Sequence, residues 1–438
     1  MVFWKKKFIH SLLLFLLFSS FGTHVWGIEE SPILEKAETL NLSQCYLLAL
    51  RNSETILIQT QKIIQTDENY KQTLSSIFPH LNFIFTQFYQ DTSGVDTGSS
   101  GVGGTFTRKD RPEGKLTLRQ PIFAGLKEFY GMSALKHESK KETFLLQHLA
   151  KLLFREVANS FYKILELEKE LKNVQTALNL TQSRVKELRE RVRLGKSRHS
   201  ELLSLESEEA TLQSTVEQLK GEISTAKEEF SFLLGLPLET TGLLDELKLE
   251  EVKPLPELLK KASSKTEIKA LEEELKSKKS QMKLAQGNFY PTLNLLGNYY
   301  TKRVGFQEQI DWDLLFTLDF PIFQGGTNLA SLKLAVSQAQ QIELELKKLY
   351  RKQESEIKKA YTFFHTSLAQ SNVLEEALKK ANESYELHVK EYRLGLVNNM
   401  EVLQAIHSLQ DAQHRLDKTM IQTKLNYLQL KIALEELP

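Results

Sequence analysis

Leu118-Arg-Gln-Pro-Ile-Phe-Ala-Gly125 occurs twice in this chain of 438 residues, and its second copy, Leu318-Asp-Phe-Pro-Ile-Phe-Gln-Gly-Gly326, lies 200 positions later. In both copies an alternating apolar run ends at Pro-Ile-Phe, and a heptad-patterned segment begins at once. Alternation is the period of a β-strand, whereas a period of about 3.5 residues is that of a coiled coil. Each copy therefore predicts a point where a β-structure passes into a long helix.

The spacing within the two halves predicts a duplication. Pro121 and Gly195 are 74 positions apart, and so are Pro321 and Gly395. A repeat sets the architecture of a chain, so it is considered before single elements. We predict a first repeat over 38–237, an equatorial connector over 238–256 and a second repeat over 257–438.

Each predicted repeat begins with a helix, continues into two strands and ends in a long helical hairpin. Pro79 and Pro291 end the first helices, since proline disfavours helix for the residue before it. Glycine after Arg193-Leu194 and after Arg393-Leu394 predicts the end of each long helix, about 67 residues or about 100 Å after its start. The predicted strands are 80–90, 115–123, 292–301 and 311–322, and the predicted hairpins are 124–234 and 327–436.

The last predicted strand has two unlike faces. Trp312, Leu314, Phe316, Leu318 and Phe320 alternate with polar residues that include two aspartates. A large apolar stripe opposite carboxylates is typical of a membrane β-barrel. In the second predicted strand, Leu116, Leu118 and Ile122 are expected on one face, with Thr117 and Arg119 on the other.

Four strands cannot close a barrel, and open strand edges cannot lie in hydrocarbon. The chain must therefore share a barrel with copies of itself. Two copies would give eight strands and three would give twelve, and the residues alone leave both open.

The N-terminus predicts export. Lys5, Lys6 and Lys7 precede a short apolar stretch, Phe8 to Phe18, and Val25-Trp26-Gly27 offers a cleavage site. This stretch is shorter than the roughly 20 residues that span a bilayer, so residues 1–27 are predicted to be a signal peptide. Charges nearly cancel, with 57 basic and 56 acidic residues, so no polyanion-binding surface is expected.

The duplicated strand–Pro–helix plan, the Arg-Leu-Gly turns and Phe232-Leu-Leu-Gly-Leu-Pro237 resemble the TolC-type outer-membrane efflux and secretion family over residues 38–438. The resemblance implies a mainly α fold with a membrane β-barrel, in which a homotrimer shares a twelve-strand barrel and an α-helical tunnel. It places the protein in the cell outer membrane with a large periplasmic portion. It also implies an exit duct of a tripartite efflux or type I secretion system, working with a periplasmic adaptor protein and an inner-membrane pump of the RND or ABC type.

The resemblance further implies roles for single residues. Glu201, Glu401 and Tyr392 match positions of a periplasmic gate. Both glutamates also fit helix caps, since each lies in the first turn of a returning helix and Asn398 to Glu401 has capping-box spacing, while Tyr392 also fits a heptad core. The adaptor-docking turns comprise Arg193, Leu194, Gly195, Arg393, Leu394, Gly395 and Leu396. The barrel–tunnel junction comprises Pro79, Pro121, Gly125, Pro291, Pro321 and Gly325.

Other function classes find little support in the residues. Ten histidines show no metal-ligand spacing, five methionines do not cluster, and the single cysteine excludes an internal disulfide. We expect no enzymatic activity, no metal, no cofactor and no nucleic-acid partner. The alternative is a periplasmic coiled-coil adaptor or scaffold without a barrel, which would also be exported and helical. The cargo is not readable from the residues.

Overall fold

The computed structural model describes residues 39–91, 109–237, 242–260, 265–304 and 307–436, and this part of the chain is mostly helical. The predicted signal peptide, residues 92–108 between the first two predicted strands and the start of the predicted connector lie outside the described residues. The helices are α1 Leu42–Asn52, α2 Glu54–Ser75, α3 Lys127–Arg193, α4 His199–Leu234, α5 Leu255–Leu259, α6 Thr266–Gln286, α7 Thr327–Arg393 and α8 Asn399–Ala433. The strands are β1 Thr39–Asn41, β2 His80–Tyr89, β3 Asp110–Ala124, β4 Gly242–Leu244, β5 Thr292–Lys302 and β6 Trp312–Asp319.

Two long helices run the length of the molecule. Both α3 and α7 have 67 residues, or about 100 Å each. Shorter helices lie along them: α3 contacts α2 and α4 of its own half and α6 and α8 of the other, while α7 contacts α6 and α8. The helix α3 therefore joins the two halves of the chain.

One four-stranded antiparallel sheet has the order β2-β3-β5-β6. Its pairing places Leu81 opposite Leu118, Leu118 opposite Gly297 and Gly297 opposite Leu314. Since paired residues share a face and side chains alternate along each strand, one side of the sheet is almost entirely apolar. This apolar face consists of Leu81, Phe83, Phe85, Leu116, Leu118, Leu293, Leu295, Gly297, Tyr299, Trp312, Leu314, Phe316 and Leu318.

The opposite, polar face carries a chain of hydrogen bonds across three strands. Thr117 Oγ1 donates to Asn298 Oδ1 at 2.9 Å, and Asn298 Nδ2 donates to Asp313 Oδ1 at 2.8 Å. The hydroxyl of Tyr300 donates to the second oxygen of Asp313 at 2.7 Å. Both carboxylate oxygens of Asp313, on β6, thus accept hydrogen bonds from side chains of β5.

A β-bulge changes the end of β3. Pro121 pairs with Asn294 and Phe123 with Leu293, so Ile122 is the extra residue between them. The inserted residue interrupts the alternation and places Phe123 opposite Leu293, while the expectation that Ile122 shares a face with Leu116 and Leu118 stays a prediction. Two predicted bounds also differ, since β3 already begins at Asp110 and β6 already ends at Asp319, short of the predicted 322.

The largest apolar core surrounds the middle of α3. Phe154, Phe161 and Tyr162 of α3 pack with Phe230 of α4 and with residues of α1. Each fully buried side chain of this size contributes about 2–3 kcal/mol to stability. This core joins α1, α4 and, through Ile421 and Leu428, α8 to α3.

The predicted connector over 238–256 belongs to this part of the fold. It contains β4, which pairs in parallel with β1 so that Leu243 lies opposite Leu40. Asp245 then accepts hydrogen bonds from the Tyr162 hydroxyl at 2.9 Å and from Lys424 Nζ at 2.6 Å. The segment is therefore bound to helices of both halves.

The short helices meet end to end at two joints. In the first joint, Asn52 Nδ2 donates to Leu234 O at 2.8 Å, and Gly235 has a left-handed φ of +68°.

In the second joint, Glu435 lies 200 positions after Gly235 and has a φ of +59°, a conformation that costs a non-glycine residue about 1–2 kcal/mol. Its carboxylate accepts from Thr266 N and Thr266 Oγ1, both at 2.8 Å, and pairs with Lys151 at 2.6 Å. Glu435 thus caps α6 from the end of the chain.

Acid is expected to weaken this second joint. Burial raises the pKa of Glu435, but bonds from Lys151 and Thr266 outweigh it and hold the pKa below its ordinary value. A lowered folded-state pKa gives stability that is present above the unfolded value of 4.5 and is lost as pH falls through the folded value. Glu435→Gln should lower the thermal unfolding midpoint at pH 7, since charge-assisted hydrogen bonds contribute about 1.5–3 kcal/mol each.

In the same variant, the thermal unfolding midpoint should decrease less between about pH 5 and pH 3 than it does in the wild type. Circular dichroism melting curves across this range measure both effects. The exposed Glu376→Gln is the matched control, because Glu376 lies on α7, 23 residues beyond Gln353, whose side chain bonds Lys265 at the joint. An unchanged pH dependence in Glu435→Gln would contradict the proposed role of the carboxylate.

Candidate functional site

Each long helix ends in the same backbone turn. Gly195 and Gly395 have φ values of +70° and +76°, and their amides donate to Val192 O at 2.9 Å and Tyr392 O at 3.0 Å. The amides of the next residues donate to Arg191 O at 2.8 Å and Glu391 O at 3.0 Å. These bonds form the Schellman motif, which needs a left-handed residue at this position. The predicted helix ends at Arg193 and Arg393 are confirmed.

The turns present apolar side chains to solvent. Leu394 and Leu396 are 74% and 71% exposed, and Leu194 is 61% exposed. Arg193 pairs with Glu190 at 2.8 Å, and Arg393 is also exposed. A cluster of exposed leucines beside arginines at one end of a helical protein has the character of an interaction surface.

The two predicted gate acids lie in different local settings. Asn398 Oδ1 accepts from Met400 N at 2.9 Å and from Glu401 N at 3.2 Å, and Asn398 Nδ2 donates to Glu401 Oε1 at 2.8 Å. Glu401 therefore supports the cap of α8. Glu201 lies in the first turn of α4, whose N-cap Arg198 makes no side-chain cap bond. The structure does not bring Glu201 and Glu401 into contact with each other.

Tyr392 is buried, with 7% exposure, beside Val402 and Ile406 of α8. Its ring also lies between two arginines of α3, with the guanidinium carbons of Arg184 and Arg191 each 4.7 Å from the ring centroid. Sequence reasoning missed both arginines and Asn399, whose Oδ1 accepts from Arg184 at 3.1 Å. The available signal was the seven-residue spacing of Arg184 and Arg191, which places both on one face of a heptad-patterned helix.

The predicted junction residues lie where the strands of the large sheet meet the helices. A Cβ added at Gly125, whose φ is +70°, would lie 2.4 Å from Gly287 O, so the two glycine backbones are in direct contact. A Cβ at Gly325 would meet no atom within 4 Å. The structure thus joins Gly125 to the segment before Pro291 and leaves Gly325 open. Pro79, Pro121 and Pro321 lie at the same level, before β2, at the bulge of β3 and after β6.

Two further features are absent from the described residues. No helix there has an apolar stretch long enough to cross a membrane. No group of three or more His, Cys, Asp or Glu side chains there could hold a metal ion.

Comparison with known proteins gives a consistent result. The family model described as outer membrane efflux protein matches residues 260–437. Outer membrane protein TolC of Salmonella enteritidis is 20% identical over 428 residues, covering 93% of this chain and 84% of that protein. Among solved structures, CusC has a TM-score of 0.79 at 17% identity, covering 91% of this chain and 93% of that chain. The outer membrane protein VceC of Vibrio cholerae has a TM-score of 0.77 at 18% identity, covering 90% and 95%.

The family model and the curated relatives indicate a TolC-like family, and the solved structures show the same fold. The resemblance noted from the sequence is therefore confirmed. A mostly helical fold shared with outer-membrane channels is confirmed as well, and the expected outer-membrane location agrees with the names of these relatives. Channel proteins of this kind fit the expectation of a non-enzyme.

Proposed function

We propose that this TolC-like chain is the outer-membrane exit duct of a tripartite efflux or type I secretion system. In this proposal three copies share a twelve-strand barrel, and their helices form a tunnel through the periplasm. The duct is passive, because energy and cargo selection come from an inner-membrane pump of the RND or ABC type. The family match and the fold shared with outer-membrane channels support it.

One observation carries the proposal: the large sheet has an almost fully apolar face and two free edges. Within the described residues β2 pairs only with β3, and β6 pairs only with β5. An apolar face backed by a hydrogen-bonded polar face suits a barrel wall between lipid and water. Free edges in hydrocarbon leave backbone groups unbonded, so they need a second copy. A periplasmic adaptor without a barrel has no use for such a sheet.

The contact between halves serves as a template for the contact between copies. Pro321 lies 200 positions after Pro121, and Pro291 lies 212 positions after Pro79. Within one chain, Leu118 of β3 lies opposite Gly297 of β5, and Thr117 lies opposite Asn298. The equivalent pairs between β6 of one copy and β2 of the next are Leu318 with Phe85 and Thr317 with Thr86. Both new pairs keep apolar residues on one face and polar residues on the other.

The same offsets account for the open Gly325. Gly125 packs on Gly287, and the position equivalent to Gly287 in the first repeat is Ser75. Gly325 of one copy is therefore expected to pack on Ser75 of a neighbouring copy. Both helices that would meet in this contact carry exposed apolar residues, namely Leu57, Ile58 and Ile64 of α2 and Leu329, Leu334 and Leu344 of α7.

Paired cysteines test this register. Thr317→Cys combined with Thr86→Cys is expected to form a disulfide between copies under mild oxidation, because directly opposed Cβ atoms lie about 4.5–5.5 Å apart. Non-reducing gels should show dimers and trimers. The control combines Thr317→Cys with Asn82→Cys, which lies four residues and about 13 Å further along the strand. Cross-linking only in the control, or only within single chains, would contradict the register.

The periplasmic end completes the proposal. The exposed turns at 193–195 and 393–396 are proposed to dock the periplasmic adaptor, and Tyr392, Glu201 and Glu401 to belong to the closed constriction. The bond between Asn398 and Glu401 supports a capping role for Glu401, which is compatible with a place in that constriction. The repeats 38–237 and 257–438, with their connector, remain the proposed domain division, and outer-membrane lipid is the proposed surroundings of the sheet.

A further inference from the structure

We infer that the second joint, where α8 ends and α6 begins, is a binding site for a small oxyanion that carries two or more negative charges. Phosphorylated and polycarboxylic compounds share this chemistry. The site is formed by helices of a single chain. It goes beyond the proposed function, because it does not depend on the duct or on a shared barrel.

The site is a cavity of about 540 Å³, which we call the joint cavity. Both α6 and α8 contact α3 and α7, so the gap at their joint is bordered by all four helices. Its volume lies within the range of about 300–1,000 Å³ that is usual for ligand pockets. Leu152 of α3, Phe363 of α7 and Ile432 of α8 supply apolar parts of its lining.

The three carboxylates that line the joint cavity already have partners. Glu435 pairs with Lys151 at 2.6 Å, and Glu356 pairs with Lys352 at 3.7 Å. The carboxylate of Glu267 accepts a hydrogen bond from a buried side-chain amide of α7. Both cations in these pairs also line the cavity, so they are already balanced by carboxylates.

Three further cations line the joint cavity, and none of them forms an ion pair with any described residue. They are Arg155 of α3, Lys359 of α7 and Lys265, which directly precedes α6. Arg155 and Lys359 are exposed, whereas Lys265 is only 4% exposed. Five lysine and arginine side chains thus face three carboxylates, which leaves an excess of two positive charges. A cleft with an excess of one sign of charge attracts ligands of the opposite sign.

Lys265 is placed unfavourably for a residue with only a structural role. It is the N-cap of α6 and makes no side-chain cap bond, although a helix N-terminus favours negative charge. Its ammonium donates to Gln353 Oε1, which is uncharged. Burial lowers the pKa of Lys265, although Glu356, Glu435 and Glu267 oppose this effect. Departures from the ordinary rules of stability are expected at functional sites.

The first joint shows that the fold itself does not require this lysine. Ser53 lies 212 positions before Lys265 and is the N-cap of α2. Leu153 lies 200 positions before Gln353 and packs in the largest apolar core. Positions that are small or apolar at the first joint therefore hold a buried cation and a buried amide at the second. An oxyanion in the joint cavity would supply the negative charge that Lys265 lacks.

Calorimetric titration of the purified full-length protein with pyrophosphate and with citrate, at one ionic strength, tests the site. At least one of the two is expected to bind, and the difference between them separates phosphoryl from carboxylate recognition. Lys265→Gln should weaken this binding about 10- to 100-fold, the effect of losing one charge-assisted hydrogen bond. The introduced amide can still donate to Gln353, so the variant removes the charge and keeps a donor.

The exposed cations give a second test that does not disturb buried groups. Arg155→Gln and Lys359→Gln should each weaken binding by up to about fivefold, as expected for exposed charges. Lys358→Gln is the matched control, because Lys358 is exposed, pairs with Glu354 at 2.5 Å and does not line the joint cavity. It should bind like the wild type.

Three results would overturn the site. The first is that neither pyrophosphate nor citrate binds the wild type. The second is that Lys265→Gln binds with wild-type affinity. The third is that Lys358→Gln weakens binding as much as Lys265→Gln does, which would mean that the anions respond only to the overall charge of the protein. None of these results bears on the proposed duct, because the titration does not involve transport.

Discussion

Leu314→Arg is expected to prevent the protein from assembling in the outer membrane, whereas Leu315→Arg is expected to be tolerated. The two leucines are neighbours on β6 and equally exposed in the single chain, at 52% and 53%. They differ in the side they face: Leu314 pairs with Gly297 on the apolar face, and Leu315 pairs with Leu296 on the polar face. An arginine on the lipid side of a barrel costs about 2–4 kcal/mol at the bilayer midplane, while a lumen position does not carry this cost.

The yield of detergent-extracted trimer from washed outer membranes measures this effect. Because three copies share the proposed barrel, the cost applies three times in each assembly. Leu315→Arg serves as the control for expression and export, since it adds the same charge one residue away. Equal yields from the two variants would show that the apolar face does not contact lipid. Loss of both would instead indicate that the sheet is packed on each side.

Gly125→Ala is expected to destabilise the protein far more than Gly195→Ala. Both glycines have a φ of +70°, so both substitutions carry the left-handed strain of about 1–2 kcal/mol. Only at Gly125 would the new Cβ lie 2.4 Å from a backbone oxygen, that of Gly287, and at Gly195 it would meet nothing within 4 Å. Forcing backbone apart adds about 1–3 kcal/mol.

Thermal unfolding of the two variants, followed by circular dichroism at one scan rate, measures the difference. Gly195→Ala should shift the midpoint slightly, and Gly125→Ala should shift it clearly or prevent folding. If folding fails, Gly287→Ala gives a second test, since its Cβ would lie 2.8 Å from Gly125 O at a normal φ. Equal midpoints for Gly125→Ala and Gly195→Ala would mean that the backbone at Gly125 and Gly287 can move apart with no loss of stability.

Local patterns were enough to place the main elements. The heptad spacing and the glycines at 195 and 395 predicted the ends of both long helices, because a helix stop is a local backbone event. Alternation predicted the two faces of β6, because side chains in a strand change sides at every residue. It did not predict the bulge at Ile122, since a bulge depends on the partner strand and has no fixed sequence mark.

Contacts between distant residues were beyond such patterns. Glu435 caps α6 from 169 positions away, and Arg184 bonds Asn399 from 215 positions away. Each of these residues looks like an ordinary charged or polar residue of a helix. Their roles depend on which helix ends meet in space. The same limit applied to the predicted gate: the family resemblance pointed to the glutamates, whereas the contact of the two arginines with Tyr392 depends on how α3 packs against α7.

The position of α3 between both halves has a consequence for the order in which the protein can fold. The helix α3 packs on α6 and α8, and α8 follows all the other described helices in the sequence. Chains emerge N-terminus first, and exposed apolar surface makes incomplete chains prone to aggregation. One side of α3 therefore stays uncovered until α6 and α8 have emerged. The first half cannot finish folding alone, so we expect newly exported chains to depend on helpers that cover this surface until α8 arrives.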